Sequence, residues 1–313
     1  MPTMLPRRPL LAGLALAALA PRWAFAQGAA RPITVSSKLD TESALLGEMI
    51  AQTLEARRLS VTRRLQLGPT RITRAALLAG EIDIYPEYTG NGAFFFNQEQ
   101  DPAWRDPAKA YEKVKALDAE RNKVIWLSPA SANNTWAIAV RKDTAPKGET
   151  LTSLEDLARL LKTGFRSQFK LAASAEFVES PAALPAFQQT YDFKLEPSNL
   201  LVLAGGDTAV TMRAAAEKMN GVNAAMVYGT DGAIAALDLQ VLADPKGAQM
   251  VYQPAPTVRG PIAEAHPQLG EWLKPVFDSL TLSGLQQLNA KIVVEGQNNK
   301  DVAKTHLRGL GIG

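Results

Sequence analysis

The sequence predicts an α/β protein built as two lobes that face each other across a cleft. Three observations carry that expectation. Strand-like and helix-like patterns alternate from Ile33 onward, and the rhythm restarts after Arg141. The helical C-terminal stretch is too short to stand as a third unit, so it reads as a return that completes the first. Lobe I is then residues 27–137 with 236–313, and lobe II is residues 138–235. Two connecting segments cross between them, and strand ends line the gap, which is where open α/β sheets bind ligands.

Each element has a local reason. Ile33-Thr34-Val35-Ser36 reads as a strand, and Asp40 caps a helix that runs to about Arg57. Glu42 suits the first turn of that helix. Leu45, Leu46, Met49, Ile50 and Leu54 recur at helical spacing. Val61–Leu67 is a strand, and Arg71–Ala79 a helix stopped by Gly80. Ile82–Tyr85 is the next strand, placing Glu81 and Asp83 on one face as solvated edge charges. A charged helix covers Pro107–Arg121, with Tyr111, Val114 and Leu117 inward, and strands follow at Val124–Leu127 and Trp136–Val140. In the second unit, Ser153 opens a helix over 153–162. Helices at 182–190 and 208–219 then alternate with strands at Phe169–Ala172, Leu200–Leu203 and Ala224–Tyr228. Both sheets are expected to be largely parallel. From Val241 a strand pattern resumes, followed by helices at 267–280, 283–290 and 299–308.

Residues 1–26 stand apart from the fold. Arg7-Arg8, the apolar run Leu10–Leu19 and the ending Ala24-Phe25-Ala26 form a signal peptide, cleaved after Ala26. Removing it takes away three arginines, so 34 basic residues become 31, against 31 acidic ones. A mature chain near neutrality gives no ground for a nucleic-acid partner. Cysteine is absent, which excludes disulfides, thiolate chemistry and a lipid anchor on cysteine. The expected location is the periplasm, as a monomer.

Enzyme signatures are missing. No H-E-x-x-H, G-x-S-x-G, P-loop or G-x-G-x-x-G occurs, and both histidines, His266 and His306, fall on the helical C-terminal stretch as surface residues. No metal or cofactor is expected. Aromatic residues at element ends are more telling. Of 10 Phe, 6 Tyr and 5 Trp, five lie between Tyr85 and Phe96. Tyr88, Trp136, Tyr228 and Tyr252 each stand where a strand meets a turn. Such rings suit a cationic ligand. Tyr85 and the three phenylalanines read as packing. Gly205-Gly206-Asp207-Thr208 opens a helix, either as a plain cap or as a backbone cluster for a carboxylate.

These residues carry a family resemblance. Ser37-Lys38-x-x-Thr41-Glu42, Asp83-Ile84-Tyr85-Pro86-Glu87-Tyr88-Thr89-Gly90 and Asn134-Thr135-Trp136-x-Ile138-x-Val140 are its first three runs. Leu184-Pro185 and Tyr228-x-Thr230-Asp231-Gly232 complete it. Together they resemble the osmoprotectant-binding proteins of ABC importers, the glycine betaine, choline and proline betaine family, and within it the periplasmic glycine betaine branch. The resemblance runs from about Ile33 to Leu310. It implies a type II periplasmic-binding-protein (Venus flytrap) fold that passes its ligand to a membrane permease and ATPase. It also implies an aromatic cage of Tyr88, Trp136, Tyr228 and Tyr252, with Lys38, Thr89, Asn91 and Asn134 as polar contacts. Neutral walls are expected, since a trimethylammonium has no N–H to donate and ring quadrupoles supply roughly 0.5–2 kcal/mol per face. The sequence departs from the family at Ser180, where many relatives place an arginine for the ligand carboxylate. Weak betaine binding, or a different ligand, is therefore expected. A ligand-sensing module and an exported hydrolase remain as other readings.

Overall fold

The computed structural model describes Met1, residues 31–203 and residues 208–313. The rest of the expected signal peptide, and the turn Gly205-Gly206-Asp207, lie outside the described residues. Residues 32–313 form one compact unit.

Among the described residues, ten strands make two five-stranded sheets. In chain order they are β1 Ile33–Lys38, β2 Val61–Gly68, β3 Ile84–Tyr88, β4 Val124–Trp126 and β5 Trp136–Arg141. β6 Leu171–Ser174, β7 Leu200–Leu203, β8 Ala224–Tyr228, β9 Leu239–Val241 and β10 Pro254–Arg259 complete them. The first sheet has the order β2-β1-β3-β10-β4 and the second β7-β6-β8-β5-β9.

The sheets are mixed, a correction to the expectation of largely parallel ones. β1 runs parallel to β2 and β3, and β6 parallel to β7 and β8. β10 is antiparallel to β3 and β4, and β5 antiparallel to β8 and β9. Each sheet thus takes in one strand adjoining a connecting segment, and that strand enters from the opposite end.

Alternation along the strands sorts the core onto two faces of each sheet. In β5 and β8, Ile138, Val140, Ala224 and Met226 face the helices Leu154–Leu161 and Leu184–Tyr191. Ala137, Ala139, Ala225 and Val227 face the helix Thr208–Ala216. In the first sheet, Val35, Ile84 and Val258 pack on the helix Thr41–Ala56 and the C-terminal helices. Tyr85, Trp126 and Ala255 pack on the other side, with Ala76, Leu77, Ala110 and Val114. Helix Thr41–Ala56 starts where expected: the Asp40 carboxylate accepts from the Ser43 N–H. The helix Leu154–Leu161 opens with a capping box between Ser153 and Asp156.

β3 runs later than expected and continues through Pro86 to Tyr88. The tolerance has a geometric reason. Pro86 faces Pro256 in the antiparallel register. The Thr89 N–H donates to the Gln253 carbonyl, three positions along, which makes the proline pair one of those that exchange no N–H bonds. Asp83 is not a solvated edge charge. It is fully buried, accepts from the Thr34 N–H at 2.8 Å, and pairs with Arg259 at 2.6 Å.

Candidate functional site

Strand ends from both sheets meet around one cavity. β1 ends at Lys38, β3 at Tyr88 and β8 at Tyr228, while antiparallel β5 begins at Trp136. The cavity measures about 1140 Å³, and its wall includes Lys38, Tyr88, Asn91, Asn134, Trp136, Tyr228 and Tyr252. Seven of the eight residues singled out from the sequence therefore reach one space.

Register builds the first part of the wall. Trp136 and Tyr228 are directly opposed across β5 and β8, so their side chains leave the same face. Their rings stack at 6.3 Å between centroids, 24° from parallel. Phe177, fully buried, meets Trp136 edge-on at 6.0 Å. The pair is held from behind, yet Tyr228 remains 37% exposed. Tyr252 is fixed through its backbone: its N–H donates to Asn133 Oδ1 at 2.7 Å, and its carbonyl accepts from the Asn134 N–H at 2.9 Å. Its ring lies against Gly90, where a Cβ would fall 2.8 Å from Cε1. Any side chain at position 90 would displace the ring. Burial pushes the Tyr252 phenol up to about 12.

Two buried carboxylates stand behind the first-sheet part of the wall. Glu87 is fully buried and accepts four bonds: from Lys38 Nζ at 2.9 Å, the Tyr88 N–H at 2.8 Å, Asn91 Nδ2 at 2.7 Å and the Tyr85 hydroxyl at 2.8 Å. Glu42 accepts from the Tyr88 hydroxyl at 2.7 Å, Asn134 Nδ2 at 3.0 Å and Asn289 Nδ2 at 2.7 Å. Burial raises the Glu42 carboxyl above its ordinary value, against the pull of bonds from Thr230, Tyr88 and Asn289. Burial, then the Glu42 charge, holds the Tyr88 phenol well above its usual range. Lys38 Nζ also sits 4.2 Å from the centre of the Tyr88 ring, so one face of that ring already holds a cation.

The expectation of neutral walls is corrected by this geometry. Asp40, Glu42, Glu176 and Asp231 line the cavity, against Lys38 and Arg213. The excess of acid favours a cation inside. Thr89 is also corrected: it is fully buried and absent from the wall. Its hydroxyl donates to the Val251 carbonyl and accepts from the Gln253 N–H, tying the end of β3 to the segment that carries Tyr252. Of the three phenylalanines read as packing, Phe94 lines the cavity and is half exposed.

Sequence reasoning missed Glu42, Asn289 and Thr230 as a group. Glu42 had a sufficient explanation as a first-turn acid. Asn289 offered a usable signal, an amide beside Leu285 and Leu288 on an apolar helix stripe, and it is only 5% exposed. Its Nδ2 also bonds the Thr230 carbonyl, which brings the turn after β8 onto the helix Leu282–Val293. Neither histidine lines the cavity. His306 is not a free surface group; its Nε2 lies 2.8 Å from the Ser279 hydroxyl, and burial lowers its pKa.

Comparison with known proteins adds to this picture. Residues 31–309 match the family described as the substrate binding domain of the ABC-type glycine betaine transport system. The glycine betaine-binding protein YehZ of Escherichia coli K12 is 58% identical over 283 residues, covering 90% of this chain and 92% of YehZ. A glycine-betaine-binding protein of Pseudomonas aeruginosa is 31% identical, over 91% of this chain and 90% of its own length. The solved structure of apo YehZ from E. coli superposes with a TM-score of 0.83 at 56% identity, covering 91% of this chain and all of that one. The fold is the two-lobed α/β fold of periplasmic binding proteins.

Proposed function

The chain belongs to the family of substrate-binding domains of ABC-type glycine betaine transport systems, and on that premise we propose that it captures a small quaternary ammonium zwitterion between its lobes. Glycine betaine is the first candidate. The loaded protein delivers it in the periplasm to a membrane permease coupled to an ATPase. The chain is a binding protein, not an enzyme, as its relatives are. We divide the lobes where the chain passes from one sheet to the other, at 127–135 and 242–253; β9 then falls in the second lobe, beyond the limit of 235 read from the sequence.

The observation that carries this reading is the meeting of Trp136, Tyr228 and Tyr252 with the buried Glu42 at one cavity. A quaternary ammonium cannot donate an N–H bond, so ring faces and a nearby acid recognise it by charge and shape. Trp136, Tyr228 and Tyr252 form the cage proper. Tyr88 contributes less, because Lys38 occupies one of its faces. That loss supports modest affinity. Lys38, Asn91 and Asn134 act chiefly as the frame that holds Glu87 and Glu42 in place.

Titration calorimetry of the mature protein with glycine betaine, choline and glycine tests the proposal. Betaine is expected to bind saturably in the micromolar range or weaker, and glycine to give no heat at the same concentrations. Binding of glycine as tight as betaine, or of no quaternary compound at all, overturns it.

A further inference from the structure

A zwitterion has two ends, and the cage accounts for only one. Ser180 lines the cavity but offers a hydroxyl without charge. Lys38 lines it too, but it is 8% exposed and its ammonium is spent on Glu87 and the face of Tyr88. Arg213 is different. It lies on the helix Thr208–Ala216, whose residues Thr208, Ala209, Met212 and Arg213 all line the cavity. Spacings of one, four and five along a helix put these four on one side of it. Arg213 is exposed, and among the described residues its guanidinium has no acid or other hydrogen-bond partner. A guanidinium left unpaired in a wall that also carries Glu176 and Asp231 is positioned for an acceptor that arrives from outside.

We propose that Arg213 receives the carboxylate of the bound ligand, in place of a basic residue at position 180, and so determines the preference for a zwitterion over a simple choline-like cation. The inference deepens the function proposed above and rests on it. The chemistry is a forked, charge-assisted pair of N–H bonds from a planar guanidinium to two carboxylate oxygens. The second sheet carries Trp136 and Tyr228 as well as the helix of Arg213, so one lobe holds two of the cage rings and the guanidinium. Ligand length then becomes a selection rule, because the distance from these two rings to the guanidinium is set within one lobe.

The test compares glycine betaine with choline, which shares the trimethylammonium and lacks the carboxylate, on wild type, R213Q and R213K. Arg213 is exposed, so the ligand-free melting midpoint of each variant is expected to match wild type. R213Q should lose about ten- to a hundredfold in betaine affinity while its choline affinity stays level or improves. R213K should fall between, since an ammonium keeps the charge without the fork. Unchanged betaine binding in R213Q overturns the inference, and so does a parallel loss for both ligands. A wild-type protein that binds neither compound overturns the quaternary ammonium reading itself, and this inference with it.

Discussion

At the residue scale, recognition turns on a few side chains whose partners set their roles. Trp136 and Tyr228 differ from Tyr88 because their stack leaves ring surface open to the cavity, whereas Lys38 has claimed a face of Tyr88. Replacing Trp136 by Ala is therefore expected to cost about tenfold in betaine affinity, read by calorimetry. Replacing Tyr88 should act mainly through Glu42, which would lose a hydroxyl donor. Glu42 itself predicts a pH dependence. Its carboxyl is raised above 4.5 by burial, so the fold favours its protonated form. That contribution to stability is complete below the unfolded value and is lost as pH climbs through the raised folded one. A cation in the cavity favours the ionised form, so binding releases a proton in the same window, and affinity falls as pH is lowered through it. The E42Q variant should bind more weakly near neutrality and show no such slope. Calorimetry in buffers of different protonation enthalpy reads the proton directly. A wild-type affinity that stays flat from about pH 8 to about pH 5 would reject the coupling.

At the element scale, the turn after β8 is pressed onto the helix Leu282–Val293. A Cβ on Gly232 would fall 2.3 Å from the Ala290 backbone nitrogen and 2.5 Å from the Asn289 carbonyl carbon. Both are backbone atoms and cannot swing aside. Gln286 Nε2 bonds the Gly229 carbonyl at 2.7 Å, and Asn289 bonds that of Thr230. The same helix thus holds the turn and, through Asn289, the Glu42 carboxylate. Substituting Gly232 by Ala is expected to destabilise the protein by about 1–3 kcal/mol in urea unfolding. Betaine affinity should fall as well, because Asn289 and Thr230 shift together. Stability equal to wild type would show that the contact yields more easily than its backbone geometry allows.

At the scale of the whole molecule, two sheets of matching order each contribute strand ends to one cavity. A ligand that touches both lobes binds the folded state and has nothing comparable to bind in the unfolded chain. Its effect on stability is then set by mass action: about 2.7 kcal/mol at a hundred times Kd, growing with the logarithm of concentration. Melting midpoints measured across a betaine series should follow that curve with the calorimetric Kd. A midpoint that ignores betaine while calorimetry reports binding would place the ligand outside the folded cavity.

The α/β alternation, the return of the C-terminal helices to the first sheet and the aromatic residues at strand ends are legible in the sequence. Those are local signals: hydrophobic period, caps such as Asp40 and Ser153, and rings beside Pro and Gly. It also carried the family, through the run Tyr85-Pro86-Glu87-Tyr88-Thr89-Gly90. What faces what is fixed by the folded chain. The antiparallel strands in each sheet, the burial of Asp83 with Arg259, and the retreat of Thr89 behind the wall all depend on partners far away in the chain. The same holds for the acid beneath the cage: Glu42 draws its ligands from positions 88, 134 and 289. Periodicity reports which side of an element is apolar. It carries no information on which distant charge comes to rest within hydrogen-bonding distance, and the electrostatics of this site are made of such meetings.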